Sequence, residues 1–111
     1  MINITIIWSG GDLMTIEATG HSRYAESGHD IVCAAVSALT GNILNGLKLI
    51  NVDYKSNIDE NIPHFSVTVS KDISSAKMKE AQIIMKSAYL GLKDAFDSFP
   101  KYIKIKEKHN D

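Results

Sequence analysis

Apolar and polar positions along this 111-residue chain change period four times, and each change marks a new element. Ile2 to Trp8 is a β-branched, partly alternating run, followed by Ser9-Gly10-Gly11-Asp12, a turn of residues that tolerate positive φ. The hairpin's second strand is expected over Leu13 to Thr19, with Leu13, Thr15 and Glu17 on one face and Met14, Ile16 and Ala18 on the other. Gly20 ends it. Ser22 to His29, small, polar and glycine-containing, reads as a mobile loop.

From Asp30 the period turns helical, with Ile31, Val32, Ala35, Val36, Leu39, Ile43, Leu44 and Leu47 at steps of three and four. Asp30 is a good N-cap, which makes Cys33 the third helical residue, and Gly46 is a weak point near the end. Val52 to Ile58 and Phe65 to Ser70 read as a second hairpin joined by Asp59-Glu60-Asn61-Ile62-Pro63-His64. Ser74 or Ser75 then caps a long helix whose stripe is Met78, Ala81, Ile84, Met85, Ala88, Leu92, Ala95, Phe96 and Phe99, stopped by Pro100. Tyr102 to Lys106 alternates again as a last strand. The order β-β-α-β-β-α-β predicts an α+β fold, a mostly antiparallel sheet with two helices, in one domain spanning residues 1–111.

Composition narrows the class of function. With 44% hydrophobic and 23% charged residues and a net charge of −1, the chain has no global pull toward nucleic acid or membrane. One cysteine makes no internal disulfide, the start carries no secretory pattern, and no apolar run approaches the roughly 20 residues a membrane span needs. A cytoplasmic protein without a membrane partner is expected. The lysine-rich end, KYIKIKEKHN, suits either phosphate contacts to RNA or an edge strand guarded against aggregation.

The chemistry centres on Cys33, twelve residues after His21. A thiolate is the reactive form, and a helix start beside an imidazole is where one forms readily. A buried helical cysteine is the competing reading. His21 follows a strand end, so the sheet can hold its backbone while the ring acts as general base. His29, one turn before Cys33, competes for that role. Asp30 either caps the helix or orients a histidine; Ser37, one turn on, either hydrogen-bonds near the sulfur or fills space. Arg23, the only arginine, is suited to a substrate carbonyl or carboxylate or to solvent. His21, His29, Cys33 and His64 match no compact zinc spacing, so neither a metal nor another cofactor is expected.

The stretch Gly20-His21, a loop with Gly28, then Asp30-Ile31-Val32-Cys33-Ala34-Ala35-Val36-Ser37 resembles the signature of the ribosomal-processing cysteine protease family, Prp. The resemblance implies a bacterial cytoplasmic endopeptidase that removes the N-terminal extension of large-subunit ribosomal protein L-twenty-seven. It also implies a homodimer, a loop that moves to admit the peptide, and aromatic residues just before the cleaved bond. Cys33 would be nucleophile and His21 base, with Asp30 and Ser37 supporting and Gly20, Gly28 and Arg23 serving loop and substrate. Ser22 departs from the alanine common after the first histidine, and His29 matches no fixed role. The mechanism expected is acyl transfer through a thioester, with backbone N–H groups around Val32 to Ala34 as oxyanion donors. Rival readings are a non-enzymatic ribosome- or RNA-associated module and a thiol redox sensor, the latter needing an outside thiol.

Overall fold

The computed structural model describes residues 1–21, 24–25, 30–59 and 64–110. Its elements are β1 (Ile2–Ser9), β2 (Asp12–Thr19), α1 (Ile31–Leu49), β3 (Tyr54–Asp59), β4 (His64–Val69), α2 (Ser75–Ser98) and β5 (Ile103–Asn110). The expected order holds. The strands form one sheet in the order β3-β4-β2-β1-β5, antiparallel except for the β1–β5 pair. Gly10 and Gly11, both at positive φ, close the first hairpin in two residues, the geometry that matches strand twist.

Register explains why the sheet has one wet face. Ile4, Ala18 and Phe65 stand in one row and Ile6, Ile16 and Val67 in the next, all buried, while Thr5, Glu17, Ser66 and Asn57 alternate with them. The helices cover the apolar face. α1 presents Val32, Val36, Thr40, Ile43 and Leu47, and α2 presents Ala81, Gln82, Met85 and Leu92.

Three features differ from the alternation read off the chain. Leu13 is fully buried rather than facing away from Met14, because pairing jumps from Ile7↔Thr15 to Trp8↔Leu13 and leaves Met14 as a bulge residue. Gln82 holds that bulge: its Oε1 accepts from the Leu13 N–H at 2.6 Å, and its Nε2 donates to the Leu13 carbonyl at 3.0 Å. The last strand runs four residues beyond Lys106, because all eight of its residues pair with β1. Finally, α1 is long and apolar enough to cross a bilayer by length and composition, at 19 residues and mean hydropathy 1.3, contrary to the expectation that no such run exists. In the fold it is a core helix that lays one side on the sheet.

Candidate active site

Asp30 sets the position of Cys33. Its carboxylate accepts from the Val32 and Cys33 N–H groups, each at 3.0 Å, and so caps α1. Cys33 is therefore the third helical residue, as expected, with a half-buried thiol. The same bonds correct another expectation. The Val32 and Cys33 amides are engaged by Asp30, and the Ala34 N–H donates to the Asp30 carbonyl at 3.1 Å. In this geometry all three amides already have partners within the first turn.

Gly20 does the same for His21. It lies just past the end of β2 at φ +89°, and a Cβ there would stand 2.5 Å from the Met1 carbonyl oxygen. Only glycine allows the strand end to pass this close to the neighbouring backbone. The Met1 amine donates to the His21 carbonyl, which fixes the histidine backbone beside β1. Tyr24, within the following loop, rests edge-on against Phe99 and Tyr102.

Cys33 and His21 line one cleft of about 840 Å³, together with Gly20, Asp30 and Ser37. Its opposite side is built by Ile58, Asp59, His64 and Phe65, from the hairpin of β3 and β4. The cleft exists because two helices, each about 10 Å across, do not cover all five strands of the sheet. Ile58, on the edge strand, is left 56% exposed on the otherwise apolar face. His64, next to Phe65 in β4, has its Nε2 3.3 Å from Oε2 of Glu17 on the wet face of the sheet.

Of the residues singled out in the sequence, Gly20, His21, Asp30, Cys33 and Ser37 come together here. Arg23, Gly28 and His29 lie outside the described residues. Sequence reasoning missed the hairpin wall and Gly41, which also lines the cleft. No local spacing announces them, since the hairpin reaches Cys33 only through strand order.

The chain's likeness to known proteins runs the same way. The family model described as cysteine protease Prp matches residues 1–104. The ribosomal processing cysteine protease Prp of Staphylococcus aureus is 30% identical over 99 residues, covering 88% of this chain and 90% of the relative. That of Bacillus subtilis is 26% identical over 81 residues, 72% of each chain. The crystal structure of the S. aureus protease with a covalently linked product peptide superposes with a TM-score of 0.87 at 26% identity, covering 97% of this chain and all of that one. A Streptococcus mutans protein gives 0.84 at 29% identity, covering 99% and 96%.

Proposed function

This chain belongs to the ribosomal processing cysteine protease Prp family, and from that premise we propose that Cys33 is its nucleophile and His21 its general base. The observation that carries the assignment is that both side chains line one cleft, each held by a backbone device: the Asp30 cap for Cys33 and the Gly20 passage for His21. In this reading the imidazole takes the thiol proton, the thiolate attacks the scissile carbonyl, and the imidazolium protonates the departing amine as a thioester forms. Water then hydrolyses the thioester. Because the amides of residues 32–34 are engaged in this geometry, the oxyanion is stabilised by other donors, or by these amides after the first turn rearranges.

The substrate we infer is the N-terminal extension of bacterial ribosomal protein L-twenty-seven, cut in the cytoplasm. Support comes from the relatives' shared description as ribosomal processing proteases and from the S. aureus complex with a product peptide. A homodimer belongs to the same reading. It is supported by α1, whose nineteen residues include one charged one, Lys48, and which leaves Ile31 and Leu49 53% and 83% exposed.

The test is mass spectrometry of the purified protein and its Cys33→Ala variant, each incubated with a peptide carrying that N-terminal extension from the source organism. A single cut by the wild type alone is expected. Retained cleavage by Cys33→Ala would remove Cys33 from the mechanism. His21→Ala should lose far more activity than His29→Ala, and the reverse would exchange their roles.

A further inference from the structure

The sheet sorts the charges of its last strand. In β5, Ile103, Ile105, Glu107 and His109 share one face, and Lys104, Lys106 and Lys108 share the other. Register with β1 says which is which. Ile103 and Ile105 stand beside Ile2 and Ile4 on the apolar side. Glu107 turns the same way, and its carboxylate accepts from Trp8 Nε1 at 3.0 Å and from the Tyr89 hydroxyl at 2.9 Å. The strand's one acid is thereby held away from its three lysines.

Lys104, Lys106 and Lys108 stand beside Asn3, Thr5 and Ile7 on the wet side. All three lysines are exposed, and none forms an ion pair with the described residues. The wet side of β1 and β5 holds no acidic residue and no aromatic one. Glu17, on the same face but two strands in from β5, has its Oε2 3.3 Å from His64 Nε2. The lysines therefore make a ladder about 13 Å long with rungs about 6.6 Å apart. Lysine with threonine and asparagine beside it is a side-chain set that contacts phosphate oxygens. With no ring there to stack a base, such a surface holds a nucleic acid by its backbone and does not read its sequence.

We propose that the wet side of β1 and β5 is a docking surface for RNA, held through its phosphates by Lys104, Lys106 and Lys108. The cleft of Cys33 lies on the helix-covered side of the sheet and is walled by the hairpin at the opposite edge, so RNA and a peptide substrate can be held together. The ladder does not depend on Cys33 or His21. The choice of RNA over an acidic peptide rests on the reading of the substrate as a ribosomal protein, a class that works bound to RNA.

The probe is labelled polyuridine RNA, titrated with the full chain by fluorescence anisotropy across a salt series. Three phosphates neutralised on a single strand should give a log–log salt slope of about −2, an affinity loss of about 20-fold between about 50 and 200 mM salt. Lys104→Gln, Lys106→Gln and Lys108→Gln should each make the slope shallower by about 0.7, and the triple variant should bind at least about tenfold more weakly at low salt. Lys55→Gln, on the same face but on β3 at the far edge, should bind as the wild type does. All four positions are exposed, so each variant should melt within about 3 °C of the wild type. The triple variant should cut the free extension peptide at the wild-type rate.

Wild-type binding by the triple variant, or an equal loss in Lys55→Gln, would overturn the ladder as the site. Slower cleavage of the free peptide by the triple variant would put the lysines in the peptide's path and overturn it as well. Displacement of the RNA by polyglutamate at matched charge would make this a face for acidic peptides and overturn the choice of RNA. Self-association of the triple variant in sedimentation, with RNA binding unchanged, would leave the lysines as guards of an edge strand and nothing more. If RNA binds as expected while the wild type cuts no peptide, the protease reading falls and the docking surface stands.

Discussion

Asp30→Ala tests how firmly the site depends on one cap. The substitution deletes an oxygen that accepts from two amides, those of Val32 and Cys33, at 3.0 Å each. Replacing an N-cap aspartate by alanine costs about 1 kcal/mol, with a range of about 0.5–2, and the paired acceptance places this site in the upper half. For a domain of this size each kcal/mol is worth about 4 °C, so the Tm should fall by about 4–8 °C in a thermal melt. Cys33 lies in the turn that then frays. A displacement of about 1 Å can cost roughly 100-fold in rate, and kcat/KM for the extension peptide should drop by at least about tenfold. Asp30→Asn retains an acceptor and should keep the Tm within about 2 °C of the wild type. The reasoning fails if Asp30→Ala melts with the wild type. It fails differently if Asp30→Ala cleaves faster, since the released amides would then serve the oxyanion and the cap would be a restraint on catalysis.

Three further outcomes follow from the fold. Gln82→Ala strips two buried partners from the Leu13 bulge and should cost about 2–4 kcal/mol in urea denaturation; a loss under about 1 kcal/mol would mean the bulge satisfies itself. Gly20→Ala forces a Cβ against the Met1 carbonyl at positive φ, so stability should fall by about 2 kcal/mol or more and cleavage by more than about tenfold, and wild-type cleavage would refute the role given to that passage. Burial pushes the Glu107 carboxyl up, but hydrogen bonds from Trp8 and Tyr89 and the nearby Lys93 charge outweigh it and hold the group below its ordinary value. A carboxylate lowered on folding stabilises above its unfolded value, about 4.3, and loses that contribution as pH falls through the lower folded one. Glu107→Gln should therefore flatten the acid limb of the stability profile below about pH 4, read by the fluorescence of Trp8, the only tryptophan, and an unchanged limb would assign acid unfolding elsewhere.

Period and punctuation along the chain carried the elements, because strand alternation, helical stripes and caps are local. Asp30 as cap, Cys33 at the third helical position and a serine cap on α2 at Ser74 or Ser75 are legible from spacing, since a cap acts over three residues, and the structure selects Ser74. The motif from Gly20 to Ser37 likewise carried the family, being one continuous stretch. Tertiary structure decided what depends on residues distant in sequence. Leu13 turns inward because a bulge and Gln82, 69 residues away, rewrite the alternation. The parallel pairing of β1 with β5 extends the last strand through polar residues that no hydrophobic pattern marks. The amides expected at the oxyanion proved to be held by Asp30, a matter of where a side chain points. The cleft itself belongs to neither its helix nor its hairpin: strand order sets β3 at the sheet edge, two helices fall short of covering five strands, and Ile58 on that edge is left exposed in the cleft wall.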